Sequence, residues 1–238
     1  MERSGWDFTW QEGRTRSSAL SWDYRGRAAE LVAAAASLLD VDTGGGEFLA
    51  GLAALPVRTA ATEQWAPNVA VARRRLAPLG VTVYETGGER LPQEGFDLIL
   101  NRHGTLDAGS VRGALAPGGR LLTQQVGSAN QAELNEALGA ALGGPENSWT
   151  LEVAVAALER ERLRIRDARE ESAEFVFCDI GAVVFQLRAV PWQIPGFDPR
   201  RFEARLRRLD RRIRAEGGFA VYDHRFLIEA VRPPAEGG

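Results

Sequence analysis

Residues Asp40 to Leu49 read DVDTGGGEFL and continue the apolar run SLLDV at 37–41. An apolar strand that ends in clustered glycines and runs into helix-forming residues is how open α/β folds bring backbone close to a nucleotide-like ligand. Glycine leaves room where a Cβ would collide with that ligand. Outward from this stretch, strand-like and helix-like segments alternate, which points to a parallel sheet covered on both faces. The pattern predicts a helix at 46–55, a strand at 57–63, a helix at 68–80 and a short strand at 81–85. Strands follow at 96–103 and 119–126, the second after the turn APGG, and then a helix at 130–142. Helical spacing recurs at 150–162 and strand-like alternation at 163–170. IGAVVFQLRAV at 180–190 fits either a strand or a helix capped by Asp179. In the arginine-rich stretch at 200–218, Phe202, Leu206, Leu209 and Ile213 line one face of an amphipathic helix that Gly217 stops. FAVYDHRFLIEAV at 219–231 is a long strand or hairpin, and the tail at 233–238 reads as disordered.

Composition narrows the chemistry. The 238 residues, 45% of them hydrophobic, suffice for one sizeable core. The chain has no lysine, so all 29 basic residues are arginine, which removes Schiff-base and lysine general-base chemistry. Two histidines and one cysteine exclude a His-rich or Cys-cluster metal site and an intramolecular disulfide. Cys178 sits in apolar EFVFCDIG and is expected to be buried. A formal charge of −3 argues against nonspecific coating of nucleic acid. With no apolar run of membrane-spanning length and no signal-like N-terminus, the expectation is a soluble cytoplasmic protein and no membrane partner.

Two ligand classes use a glycine turn after the first strand. A dinucleotide loop wants G-x-G-x-x-G, and after Gly44 and Gly46 the third position is Leu49. That disfavours an NAD-binding oxidoreductase. DVDTGGG instead resembles the first motif of class I S-adenosylmethionine-dependent methyltransferases, acidic-x-G-x-G-x-G. Asp40, Gly44 and Gly46 match as cofactor-binding positions, and Asp42 departs, its carboxylate either crowding the cofactor's own carboxylate or meeting its ammonium or sulfonium. AATEQW at 60–65, FDLIL before Asn101-Arg102-His103, and LAPGGRLL at 115–122 resemble later motifs of the same family in the same order, so the likeness spans about residues 37–126.

The resemblance implies a Rossmann-like α/β fold: a seven-stranded, mostly parallel sheet with helices on both faces, an N-terminal helical cap or lid over 1–36 and a helical insertion before the last strand. The methyltransferase domain would cover 37–232, with its cofactor half at 37–126 and its acceptor half at 127–232. It implies S-adenosylmethionine as cofactor and S-adenosylhomocysteine as product. Glu63 would accept the ribose hydroxyls, Gln64 and Trp65 would lie near the adenine, and Asp40 would hold the loop or meet the amino acid end. Glu85 is a further candidate near the adenine. Asn101 and the lip of its strand would face the reacting methyl, with His103 as a general base. Trp22, Tyr24 and Arg25 would serve in the lid and contact the cofactor's carboxylate, and VPWQIPGF at 190–197 either shapes an acceptor pocket or packs in the core. The leading expectation is methyl transfer to a small molecule. Its rivals are an RNA methyltransferase using the Arg200–Arg214 helix, and a non-catalytic module in which Asp42 has impaired cofactor binding.

Overall fold

The computed structural model describes residues 8–140 and 148–234. Its centre is one eight-stranded sheet, in which chain-order numbering gives the spatial order β1-β7-β8-β6-β5-β2-β3-β4. Strands β2 (Ser37–Val41), β3 (Arg58–Thr62), β4 (Thr82–Tyr84), β5 (Phe96–Arg102) and β6 (Leu115–Val126) run parallel. β8 (Phe219–Val231) lies antiparallel between β6 and β7 (Arg164–Phe177), so the 219–231 stretch is a single strand.

Side-chain alternation explains the continuous apolar runs. Leu39, Ile99 and Leu121 point to one face, where α6 (Leu151–Arg160) adds Ala154 and Leu158. Their neighbours Leu38, Leu98, Leu100 and Leu122 point to the other, beneath α1 (Tyr24–Ala34) and α3 (Ala66–Leu76). A parallel strand covered on both faces needs apolar residues at every position. A third cluster joins Leu206, Leu209 and Ile213 of α8 (Glu203–Glu216) to Phe177, Phe219 and Val221 of the outer strands. These are the apolar positions whose spacing marks the helix in the sequence.

Several elements depart from expectation. The N-terminal segment supplies α1 and also β1 (Thr15–Ser17), an antiparallel edge beside Phe175–Phe177, so the sheet has eight strands and not seven. Three residues are too few to show a period. The helix expected at 46–55 is only α2 (Glu47–Ala50); it stops at Gly51, whose carbonyl accepts from Arg25 Nη2 instead of continuing the helix. The APGG turn lies inside β6 as an irregularity where the register with β5 shifts. The ambiguous 180–190 stretch is a helix, α7 (Ile180–Ala189), because Asp179 Oδ1 caps the Ala182 N–H at 3.0 Å. Cys178 is half-buried, with Arg16 Nη1 3.4 Å from its sulfur. The helix expected at 130–142 is α5 (Ala132–Ala137), and its last expected residues fall outside the described ones, as do 1–7 of the cap and 235–238 of the tail. No helix among the described residues is long and apolar enough to cross a membrane.

Candidate active site

The carboxyl ends of β2, β3 and β5 meet at one crest. After Val41 the chain turns through Asp42, at φ 52°, then Gly44 at 65° and Gly46 at 81°. Asp tolerates the left-handed region better than most residues, so the turn forms without a glycine at 42. Gly46 is obligatory: a Cβ there would stand 2.9 Å from Leu76 Cγ. The turn is tied down by Thr43 N–H to the Thr62 carbonyl at 2.8 Å and by Arg75 to the Gly45 carbonyl.

Three carboxylates crowd this crest. Asp40 is 4% exposed and accepts from Thr43 Oγ1 at 2.6 Å. Burial pushes its pKa up to about 7, against the Thr43 hydrogen bond and with help from the Asp42 charge. Asp42 takes the Thr105 N–H on Oδ2 at 2.8 Å and so ties the loop after β5 to the loop after β2. Its Oδ1 is buried without a hydrogen-bond partner among the described residues, and burial pushes the carboxyl up to about 6, with the Glu63 charge adding. Glu63, 4% exposed, receives the Trp65 N–H at 2.8 Å on one oxygen.

The other expected residues divide. Gln64 is exposed and packs against Gly87, and Trp65 is also exposed, so both stand at the rim. Glu85 is exposed and ion-paired with Arg73, turned to solvent at 3.4 Å. Tyr24 is buried in the core against Phe48, its hydroxyl 3.5 Å from the Leu122 carbonyl, so it supports the crest from below. Arg25 and Arg102 lie 5.8 and 5.6 Å from the centre of the Phe48 ring. Asn101 is fully buried and its amide is committed: it donates to the Thr105 carbonyl at 2.8 Å and accepts from Gln125 at 2.9 Å. It shapes the loop from within, where the sequence suggested a contact with the cofactor.

His103 is held by a chain the sequence does not announce. Trp22 Nε1 donates to Gln124 Oε1 at 2.8 Å, and Gln124 Nε2 lies 2.9 Å from His103 Nε2. An indole N–H can only donate, so the Gln124 oxygen must face Trp22 and its NH2 group must face His103. His103 Nε2 is therefore the acceptor, and the neutral ring carries its proton on Nδ1. Protonating Nε2 would set two donors against each other. Burial against the cleft wall, with the Arg225 and Arg102 charges, also pushes the ring's pKa down, to about 3. The ring edge is open to water, which tempers the burial effect, but the two guanidinium groups act in the same direction. In this tautomer the Nε2 lone pair of His103 is taken by Gln124 and its Nδ1–H is a donor.

Arg225 belongs to a second chain. It pairs with Asp223 at 3.0 Å, Asp223 accepts from Gln131 at 2.9 Å, and Gln131 accepts from Gln193 at 3.5 Å. In the 190–197 loop Ile194 is buried in the third core, as one of the two alternatives has it, and Gln193 donates to Gln131. The sequence signal that was available is Thr123-Gln124-Gln125, three buried polar residues ending an otherwise apolar strand. Buried amides need partners, and here they organise the site.

No protein-family model and no curated protein matches the sequence. Solved structures do match in fold. The YcgJ protein of Bacillus subtilis is 15% identical, with 89% of this chain and 99% of that chain covered at a TM-score of 0.61. An S-adenosylmethionine-dependent methyltransferase from Mesorhizobium loti is 18% identical over 90% of this chain and 100% of that chain, at 0.52. The [4+2]-cyclase SpnF is 17% identical over 92% and 87%, at 0.54. Strand order, the glycine turn and these likenesses agree: the chain has the fold of the class I S-adenosylmethionine-dependent methyltransferases.

Proposed function

We propose that the chain binds S-adenosylmethionine on the crest of β2, β3 and β5, transfers its methyl group to a small-molecule acceptor and releases S-adenosylhomocysteine. The observation that carries this reading is the set of three carboxylates, Asp40, Asp42 and Glu63, around a left-handed glycine turn. Such a set suits a ligand with a sulfonium, an ammonium and a ribose diol, and the unpartnered Asp42 Oδ1 is an acceptor in want of a donor. When bound, the cofactor supplies an electrophilic methyl whose in-line displacement asks for positioning and exclusion of water. Glu63 has one oxygen to offer the ribose hydroxyls. Arg25 and Arg102, flanking Phe48, suit the cofactor's carboxylate. Arg102, Arg225 and the His103 Nδ1–H make the acceptor side a donor-rich, cationic wall, which favours an acceptor bearing oxygen acceptors or negative charge. His103 positions the acceptor and does not deprotonate it.

Thermal shift with S-adenosylmethionine and S-adenosylhomocysteine tests this directly. A ligand at 100 times its Kd contributes about 2.7 kcal/mol, roughly 5 to 11 °C for a domain of this size. Glu63→Gln should weaken binding about tenfold or more, a loss of about 1.4 kcal/mol, while leaving the unliganded melting temperature nearly unchanged. No shift with either ligand refutes the reading. A second reading, a non-catalytic methyltransferase-like module, rests on the Asp42 carboxylate, which is clamped to the Thr105 loop where the family motif carries glycine. It predicts no shift in the natural chain and a shift restored in Asp42→Gly. The RNA reading is weakened by α8 itself: Arg207, Arg212 and Arg214 pair with Glu203, Glu216 and Asp210 on the same helix, as on a solvated face.

A further inference from the structure

At the opposite ends of the strands from the crest, where β6 begins and β8 ends, four arginines converge on an open trough of about 390 Å³. Arg112 comes from α4 (Ala108–Ala114), Arg160 from the last turn of α6, Arg162 from the turn before β7, and Arg232 from the residue after β8. Among the described residues none of the four forms an ion pair, whereas Arg207, Arg212 and Arg214 of α8 do. The one carboxylate in the lining, Glu161, leaves the trough strongly positive.

The guanidinium groups are held in place through part of their donor sets. Arg112 Nε donates to the Glu161 carbonyl at 3.1 Å, Arg160 Nε to the Ala156 carbonyl at 3.2 Å, and Arg232 Nη1 to the Arg112 carbonyl at 3.0 Å and to the Leu115 carbonyl. Each guanidinium has five N–H donors, so most remain unused, on side chains whose ordering cost is already met by the fold. The bland account, arginines bonded to nearby backbone carbonyls, covers Arg112, Arg160 and Arg232. It does not cover the Arg162 side chain, which makes no hydrogen bond among the described residues; the residue's φ of 58° belongs to the cap that ends α6, with its N–H on the Glu159 carbonyl at 2.8 Å and the Leu163 N–H on the Leu158 carbonyl at 3.0 Å. Four guanidinium groups around one trough, with no carboxylate partner among the described residues, point to a counter-charge from outside the chain.

We infer that this trough is a binding site for a small phosphate-bearing anion, with pyrophosphate or a phosphate ester as the chemical class. Planar guanidinium forks match tetrahedral phosphate oxygens in bidentate pairs, and several forks around one trough suit a ligand with more than one negative charge. Burial and the neighbouring Arg112 charge both disfavour the charged form of Arg232, a repulsion that a bound anion relieves. The inference is independent of methyl transfer, since the trough shares no residue with the crest.

The test is calorimetric titration of the full chain with inorganic pyrophosphate and inorganic phosphate at fixed ionic strength, with acetate as the control anion. The expected result is saturable binding of one pyrophosphate per chain, tighter than phosphate. Arg162→Gly, which removes charge and relieves the backbone, should melt no lower than the natural chain yet bind pyrophosphate about tenfold more weakly or worse. Arg160→Gln should also weaken binding, and Arg208→Gln on α8 should not. Absence of saturation, equal heats with acetate, or unchanged affinity in both trough variants would overturn the assignment.

Discussion

Asp40 gives the crest a measurable pH signature. Its carboxyl is buried at the end of β2, and burial lifts its pKa to about 7, against roughly 3.9 in an unfolded chain. Between those values the folded state holds the proton and the unfolded state has lost it, so the carboxyl lowers stability progressively as pH rises from about 4 through 7. Three units correspond to about 4 kcal/mol. About 2 kcal/mol of that falls between pH 5.5 and 8. His103 acts in the opposite direction, because its depressed pKa means that stability is lost as pH falls below its ordinary value. The natural chain's own curve therefore mixes opposed slopes, with the raised Asp42 carboxyl acting in the same direction as Asp40. Asp40→Asn isolates one of them: the amide oxygen can still accept from Thr43 Oγ1, the charge is gone, and His103 is common to both chains. Thermal denaturation followed by circular dichroism should show the variant gaining on the natural chain by about 2 kcal/mol from pH 5.5 to 8, roughly 4 to 8 °C. A difference that stays flat, or shrinks as pH rises, would refute the account of Asp40 as a buried, proton-holding acid.

Gly46→Ala should destabilise by about 1–3 kcal/mol in denaturant titration, because it meets both a positive φ and the Leu76 side chain. Nitrogen-15 spectra of the imidazole groups should find His103 protonated on Nδ1 and bare on Nε2 at neutral pH. In Gln124→Leu both tautomers should appear; an Nε2–H tautomer in the natural chain would remove the hydrogen-bond chain from Trp22. If His103 positions the acceptor, His103→Gln should lower activity mainly through KM, and a loss confined to kcat with a shifted pH profile would restore the general-base role.

The order of elements was legible because each depends on local pattern. SLLDV, FDLIL and GRLLTQQV are apolar at successive positions, and only a strand covered on both faces tolerates that. The glycine turn could be read because left-handed backbone selects residue type directly. Short or context-capped elements were not legible. β1 exists because Phe175–Phe177 offer it an edge, and α2 stops early because Arg25, twenty-six residues away, takes the Gly51 carbonyl. Spacing cannot express a partner that distant.

The same division runs through the site. Sequence alone fixed the α/β class, the crest and its acids, since these lie within a few residues of strand ends. It could name Asn101 and His103 but not their roles. The folded chain decided that Asn101 turns inward to the Thr105 loop, that Trp22 sets the tautomer of His103 through Gln124, and that four arginines spread over 112–232 share one trough. Hydrogen-bond direction and charge convergence are properties of distances across the fold, and residue spacing along the chain carries neither.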